Sequence, residues 1–130
     1  MSETRPSCVL LADRHHGLTE GVRGLLETTF GTVVMVADEA SLLEGAERIR
    51  PDVAIVDISL ARDSGLGWLR ALRQRCPEVK VIVLSVHDEQ SVRRAAMDAG
   101  ADSFVLKRAI ATDLLDAVEY VRGGGRGEPR

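Results

Sequence analysis

The fold of this chain is decided by the stretch Val53-Ala54-Ile55-Val56-Asp57-Ile58-Ser59-Leu60. It begins with four apolar residues rich in β-branching and runs directly into a carboxylate, which predicts a strand buried on both faces of a parallel sheet. In open α/β sheets ligands bind beyond the carboxyl ends of the strands, where Asp57 would lie. Asp57 is therefore the first candidate for chemistry, although an aspartate here could equally do no more than begin the following turn.

The rest of the chain repeats this pattern, because four further apolar runs alternate with segments of helical periodicity. The runs lie at residues 8–12, 33–37, 79–84 and 103–106. The helical segments begin near residues 18, 42, 66, 91 and 112. Five strands alternating with five helices predict an α/β fold with right-handed crossovers and a doubly wound parallel sheet.

Capping signals mark several of the predicted helix ends. Asp38 or Ser41 can cap the second helix, and Ser41 with Glu44 fits a capping box. Thr112 can cap the last helix. Gly100 is placed to end the fourth helix, since glycine commonly follows a helix in the left-handed conformation.

Composition and charge indicate one soluble domain. The 130 residues are 45% hydrophobic, enough for one core, and their net charge of −3 offers no basic footprint for nucleic acid. Cys8 and Cys76 match no metal-ligand spacing, so we expect two reduced thiols without a function. No apolar run approaches the length of a membrane span and the first seven residues lack a signal core, so we expect a cytoplasmic protein that does not contact a membrane.

Polar side chains follow four of the predicted strands at the point where each strand ends. They are Asp13, Asp57, Ser85 and Lys107. An aspartate can act as a nucleophile toward a phosphoryl group when neighbouring groups neutralise the oxygens being transferred. Lys107 would supply a positive charge, Ser85 a hydrogen-bond donor, and the carboxylates a seat for Mg²⁺. Taken singly, a serine at a strand end is more often a turn residue and a lysine is more often solvated surface.

This ordered set of residues resembles the receiver domain of two-component response regulators, which has a flavodoxin-like five-stranded sheet of strand order 2-1-3-4-5. The resemblance covers nearly the whole chain and implies a receiver domain over residues 1–122. The motifs that carry it are Leu10-Leu11-Ala12-Asp13, Pro51-Asp52-Val53-Ala54-Ile55-Val56-Asp57, Val83-Leu84-Ser85 and Ala99-Gly100-Ala101-Asp102-Ser103-Phe104-Val105-Leu106-Lys107.

The resemblance implies a signalling role for each of four residues. Asp57 would accept a phosphoryl group from a histidine kinase, and Lys107 would bind that group. Ser85 would be the switch hydroxyl and Phe104 the switch aromatic, so that Ser85 moves toward the phosphoryl group, Phe104 turns inward, and a partner or dimer surface changes. Such a domain is not an enzyme, beyond catalysing its own aspartyl phosphorylation and dephosphorylation.

The segments at residues 84–88 and 99–102 look most like the NarL/FixJ, or LuxR-type, subfamily. Members of that subfamily usually join the receiver to a helix-turn-helix DNA-binding domain. The resemblance therefore implies a homodimer that controls transcription and contacts DNA only through a separate output domain. Residues 123–130 have the composition of a flexible linker or tail leading to such a domain.

The predicted metal seat departs from the family pattern at one position. By resemblance, Asp13, Asp57 and the backbone carbonyl of Ser59 would hold Mg²⁺, but Arg14 stands where the family normally has a second acid. We expect weakened Mg²⁺ binding and slow phosphorylation by small phosphodonors, both restored by Arg14→Asp. The guanidinium would either pair with the carboxylates or phosphate, or extend into solvent and leave its place to water.

Two other interpretations remain open. A nucleotide or flavin binder of similar fold is disfavoured, because the first strand is not followed by a glycine-rich phosphate loop. A pseudo-receiver that mediates interaction or dimerisation without phosphate is supported by Arg14.

His15 and His16 lie beside the predicted pocket, where two adjacent histidines at a helix start are more often solvated or capping than ligands.

Overall fold

A computed structural model describes residues 7–61 and 65–126, and within them all side chains except those of residues 16–19. The strands are β1 (Cys8–Ala12), β2 (Thr32–Val36), β3 (Val53–Asp57), β4 (Lys80–Ser85) and β5 (Ser103–Leu106). The helices are α1 (His16–Leu26), α2 (Glu39–Ile49), α3 (Gly67–Arg75), α4 (Gln90–Asp98) and α5 (Ile110–Arg122), with a short 3₁₀ helix (Lys107–Ala109) between β5 and α5.

The five strands form one parallel sheet in the order β2-β1-β3-β4-β5. This arrangement confirms the predicted flavodoxin-like, doubly wound α/β fold. The order reverses direction between β1 and β3, where the chain first builds outward through β2 and then in the opposite direction through β4 and β5. In doubly wound folds a ligand crevice forms at such a switch point, outside the carboxyl ends of the strands.

Alternating residues of the central strands fill two separate cores, one on each face of the sheet. On one face, Leu10, Ala54, Val56, Val81 and Val83 belong to the cluster that includes buried residues of α2, α3 and α4. On the other face, the intervening strand residues pack with α1 and α5. Both faces of β3 are covered, so all five of its residues are buried, as its continuous apolar sequence predicts.

Two of the three predicted helix caps differ in the structure. Asp38 caps α2 as predicted, accepting a hydrogen bond of 2.8 Å from the Ser41 backbone N–H. Ser41 therefore lies inside the helix, and the capping box with Glu44 is wrong. Thr112 also lies inside its helix, where its hydroxyl donates to the Ala109 carbonyl, because α5 already begins at Ile110. The predicted starts placed both caps too far along the chain.

Gly100 follows the end of α4 and has a φ of +120°, a conformation that L side chains rarely adopt. The turn that it makes leads directly into Asp102, whose carboxylate accepts hydrogen bonds from the Val81 backbone N–H and from Arg73. These contacts hold the start of β5 against β4. They thereby help to position Lys107, which follows the other end of β5.

The first part of the predicted linker is bonded to the domain. The backbone N–H groups of residues 123–125 donate to carbonyls of α5, and the Tyr120 hydroxyl donates to the Arg126 carbonyl. The Arg126 guanidinium donates to the Met97 carbonyl in α4. Residues 127–130 lie outside the described part. Within the described residues, the helices are too short or too polar to span a membrane.

Candidate functional site

Three side chains meet at the carboxyl ends of β1, β3 and β5. Asp13 directly follows β1, Asp57 ends β3, and Lys107 directly follows β5. The Lys107 ammonium donates to Asp57 Oδ2 at 2.7 Å and to Asp13 Oδ2 at 3.2 Å. Each of the two aspartates is only 3% exposed. The sequence expectation that these three residues converge therefore agrees with the geometry.

The contact between Lys107 and Asp57 keeps both side chains charged. Burial alone would raise the pKa of Asp57, but the hydrogen bonds from Lys107 and from the Ser59 backbone N–H, with the charge of Lys107, outweigh burial and hold the pKa below its usual value. Burial likewise acts to lower the pKa of Lys107, and its contacts with Asp57 and Asp13 raise it above the usual value instead. Asp57 is therefore an anion and Lys107 a cation at neutral pH.

The second oxygen of Asp57 is held by the turn after β3. Ser59 donates to Asp57 Oδ1 twice, from its backbone N–H at 3.0 Å and from its hydroxyl at 3.1 Å. Each carboxylate oxygen of Asp57 thus has its own donors, with Lys107 on Oδ2 and Ser59 on Oδ1. The carboxylate plane is fixed before any ligand arrives, which lowers the entropic cost of reaction at this atom.

Ser85 ends β4 beside Asp57 but does not bond to it. Its hydroxyl accepts from the His87 backbone N–H at 2.9 Å and donates to the His87 carbonyl at 3.2 Å. The hydroxyl is therefore engaged by the loop after β4. Ser85 therefore lies at the same edge of the sheet as Asp57, but its hydroxyl does not donate a hydrogen bond to the Asp57 carboxylate.

Phe104 lies in β5, in register with Val83 of β4, and is 4% exposed. The guanidinium of Arg93, on α4, lies 4.7 Å from the centre of its ring, which is a cation–π distance. The ring is therefore already inward while Ser85 is bonded to His87. This combination differs from the expected sequence of events, in which Phe104 turns inward only after Ser85 has moved.

Arg14 does not enter the carboxylate pair. Its side chain is exposed and lines a shallow cavity with residues 37–40, which join β2 to the start of α2, and residues 60–61 after β3. Among the described residues it forms no ion pair with Asp13 or Asp57. Of the two orientations considered from the sequence, the structure has the one in which the guanidinium extends into solvent.

The His15 side chain is exposed, as expected of a solvated residue, and its ring nitrogen also lies near both carboxylates of the site. His15 is the N-cap residue of α1, yet its side chain forms no capping hydrogen bond. Its backbone N–H donates to Asp13 Oδ1 at 2.8 Å, and its Nδ1 lies 3.2 Å from Asp13 Oδ1 and 3.6 Å from Asp57 Oδ2. The side chain of His16 lies outside the described part. The bond from the His15 backbone N–H to Asp13 is of the kind that aspartate side chains commonly make with the backbone two residues on, so the strand-end Asp is the sequence signal for this turn.

The donor set suits a divalent cation. Two carboxylates at one edge are oxygen donors of the kind that Mg²⁺ prefers, and receiver domains typically bind Mg²⁺ in such an acidic pocket. The fit is poorer than for a three-acid pocket, since Arg14 contributes a positive charge nearby in place of a carboxylate. Asp13, His15 and Asp57 each offer one ligand atom, and these atoms all lie within 4.8 Å of one another.

Comparisons with known proteins agree with this geometry. The family model of the response regulator receiver domain matches residues 9–119. The nitrate/nitrite response regulator protein NarP of Escherichia coli (strain K12) is 37% identical over 98% of this chain and 59% of its own length. The transcriptional regulatory protein DegU of Brevibacillus brevis is 36% identical over 90% of this chain and 50% of its own length. This chain thus spans between half and three fifths of these relatives.

Among solved structures, the signal receiver domain of the putative response regulator NarL from Mycobacterium tuberculosis superposes with a TM-score of 0.80 at 30% identity, covering 93% of this chain and 99% of that one. A LuxR-family two-component response regulator from Aurantimonas superposes with a TM-score of 0.85 at 26% identity, covering 95% and 89%. The flavin-binding alternative is left without support. The chain belongs to the response regulator receiver domain family, with NarL- and LuxR-type regulators among its relatives, and is a signalling domain rather than a conventional enzyme.

Proposed function

We propose that Asp57 of this receiver domain accepts a phosphoryl group from a histidine kinase. The observation that carries the proposal is the 2.7 Å contact of Lys107 with a buried, ionised Asp57. A carboxylate that remains ionised at neutral pH is a nucleophile, and an ammonium beside it is placed to receive the negative charge of the incoming group. Both requirements are met by residues that the fold positions independently.

In the transfer, an Asp57 oxygen forms a bond to phosphorus as the bond from phosphorus to the donor breaks. The donor keeps the bonding electron pair, so a phosphohistidine leaves as a neutral imidazole after taking up a proton. Lys107 would follow the negative charge from the carboxylate to the phosphoryl oxygens. Asp13, Asp57 and the Ser59 carbonyl are the residues that would hold Mg²⁺, which when bound would neutralise part of that charge.

The switch begins with Ser85. Its two bonds to the His87 backbone hold the loop after β4, and a phosphoryl group on Asp57 offers stronger, charged acceptors for the same hydroxyl. Turning Ser85 toward Asp57 would release His87 and the start of α4. Because Arg93 of α4 lies on Phe104, this release would alter the contact between α4 and β5, where we place the partner or dimer surface.

The output belongs to the same proposal. Receiver domains of this family interact with histidine kinases and often dimerise, and the relatives include proteins named as transcriptional or nitrate/nitrite regulators. We place the protein in the cytoplasm as a homodimer that controls transcription through a DNA-binding domain beyond residues 123–130. The comparisons do not favour the phosphate-independent pseudo-receiver.

The test is phosphoprotein mass after treatment with acetyl phosphate and Mg²⁺. We expect the parent chain to gain one phosphoryl group, Asp57→Asn to gain none, and Asp98→Asn, an exposed aspartate of α4, to behave like the parent. Arg14→Asp should label faster and bind Mg²⁺ more tightly in a titration followed by amide chemical shifts. Arg70→Asp, the same charge change at an exposed position of α3, should do neither.

Three outcomes would contradict these expectations. Absence of labelling in both the parent and Arg14→Asp would overturn the phosphoacceptor assignment in favour of a pseudo-receiver. Tight Mg²⁺ binding and rapid labelling of the parent would show that Arg14 does not weaken the site. For the switch, unchanged amide signals over residues 86–106 and an unchanged oligomeric state with beryllofluoride would refute the path through Ser85.

A further inference from the structure

The site offers two kinds of metal-coordinating atom, oxygen and nitrogen. Only oxygen is expected of a magnesium pocket. Asp13 and Asp57 offer carboxylate oxygens, while His15 offers an imidazole nitrogen between them. The histidine side chain is 60% exposed, so water has access to this side of the site. Arg14 stands where a second acid would otherwise add a further oxygen ligand, so the site has fewer of the oxygen ligands that Mg²⁺ prefers.

The distances from His15 Nδ1 to the two carboxylates match those between ligands that share one small ion. Bonds of about 2.1 Å to a divalent transition ion place two ligand atoms about 3.0 Å apart at a right angle and about 3.4 Å apart at a tetrahedral angle. His15 Nδ1 lies 3.2 Å from Asp13 Oδ1 and 3.6 Å from Asp57 Oδ2. One ion could therefore contact all three side chains after small adjustments, with water completing its coordination.

We propose that Asp13, His15 and Asp57 form a site for a divalent transition ion of borderline softness, such as Zn²⁺, which the site prefers to Mg²⁺. An imidazole nitrogen adds affinity for Zn²⁺ and its neighbours in the transition series, whereas Mg²⁺ gains almost nothing from nitrogen and requires oxygen ligands in nearly octahedral geometry. The two carboxylates match the charge of the ion. Lys107 remains on Asp57 Oδ2 and Asp13 Oδ2, leaving lone pairs on both carboxylates for the metal.

A bound ion would replace the direct contact between His15 Nδ1 and Asp13 Oδ1. Nδ1 is at hydrogen-bonding distance from Asp13 Oδ1, and a metal ion would take the place of that proton between the two atoms. The backbone N–H of His15 would keep its bond to Asp13 Oδ1, so α1 would begin at the same residue. Because the imidazole does not cap α1, its removal leaves the helix start intact, and the residue can be tested by substitution.

The experiment is a calorimetric titration of the unphosphorylated chain with ZnCl₂ and separately with MgCl₂, in a buffer that does not bind metals. We expect Zn²⁺ to bind more tightly than Mg²⁺. His15→Ala and His15→Gln should each weaken Zn²⁺ binding at least about tenfold and change Mg²⁺ binding less than about twofold. His87→Ala, which removes an equally exposed imidazole from the loop after β4, should change neither. A ring-nitrogen resonance of His15 should shift on addition of Zn²⁺.

Equal Zn²⁺ affinity in the parent and both His15 variants, or tighter binding of Mg²⁺ than of Zn²⁺, would overturn the inference. Its failure is separable from that of the proposed function, because the titration uses no phosphodonor. Normal phosphoryl labelling without a Zn²⁺ preference would refute only the metal assignment. Zn²⁺ binding through His15 in a protein that cannot be labelled would refute only the phosphoacceptor role.

Discussion

Replacing Lys107 with methionine should destabilise the domain in a way that depends strongly on pH. The substitution keeps a long, largely buried side chain but removes the ammonium that lies 2.7 Å from Asp57 and 3.2 Å from Asp13. The Lys107 side chain is 11% exposed, and those of its two partners are less exposed still. The variant therefore leaves two carboxylates facing each other in a buried pocket without a counter-charge.

The expected penalty at pH 7 is about 3 kcal/mol. Removing one partner of a buried ion pair typically costs about 3–5 kcal/mol, and the opening of this pocket beside the exposed His15 favours the lower end. Protonation of Asp57 in the variant limits how large this penalty can become. Taking up a proton at pH 7 from a usual pKa of about 3.9 costs about 4 kcal/mol, and at pH 5 only about 1.5 kcal/mol. The charge penalty should thus fall to about 1.5 kcal/mol or less at pH 5.

The sign of the pH dependence follows from the pKa directions. The lowered pKa of Asp57 gives the parent chain stability that is present above the unfolded pKa and is lost as the pH falls through the folded value. The raised pKa of Lys107 gives stability that is present below its unfolded pKa and lost as the pH rises through the folded value. Both contributions are present at pH 7, where the variant loses most.

The assay is urea unfolding at pH 7 and pH 5, followed by far-ultraviolet circular dichroism, for Lys107→Met, Asp57→Asn and the double variant. A loss of about 3 kcal/mol should lower the urea midpoint by about 1–3 M. In the Asp57→Asn background the same lysine substitution should cost about 2 kcal/mol less, because one of the two carboxylates is gone. Equal costs in the two backgrounds, or a penalty that does not shrink at pH 5, would refute the charge argument.

Three further substitutions test the contacts that position the site. Asp102→Ala should lower the free energy of unfolding by about 1–3 kcal/mol in urea titrations, because the Val81 N–H and Arg73 lose their acceptor; an unchanged midpoint would refute that role. Gly100→Ala should cost about 1–3 kcal/mol or more at its φ of +120°, where the new Cβ would lie 2.5 Å from Arg73 Cγ. Asp38→Ala should lower the melting temperature at pH 7. The Ser41 N–H bond lowers the pKa of Asp38, so this difference should vanish as the pH falls through the lowered value, and persistence of the difference in acid would contradict the capping role.

The sequence predicted the fold well because its strands are buried on both faces and therefore read as unbroken apolar runs. β3 and β4 show this most clearly, since nearly every residue in them is buried. The strand ends followed from the same runs, and parallel topology then brought Asp13, Asp57 and Lys107 to one edge. Helix starts were harder to predict. Ser41 and Thr112 are good capping residues, but the backbone entered helical conformation a few residues earlier in both cases.

Side-chain orientation at the site could not be predicted from sequence, because it depends on contacts between distant segments. Ser85 turns to the His87 backbone, a choice between two available partners that spacing alone does not decide. Phe104 is covered by Arg93, from a helix whose tilt depends on the packing of the whole sheet. The position of His15 rests on a local turn around Asp13, yet its approach to Asp57 depends on the pairing of β1 with β3.

The charge of the pocket explains why Arg14 can remain outside it. Asp13 and Asp57 against Lys107 leave a net formal charge of minus one, and drawing in the guanidinium would cost desolvation and about 2 kcal/mol of side-chain entropy. A phosphoryl group carries about −1.5 to −2, so phosphorylation would bring the pocket close to minus two. At that charge the site attracts a divalent ion more strongly than before, and it attracts the nearby guanidinium as well. We therefore expect Arg14 and a metal ion to compete for the phosphorylated site, while Arg14 stays in solvent beside the unphosphorylated one.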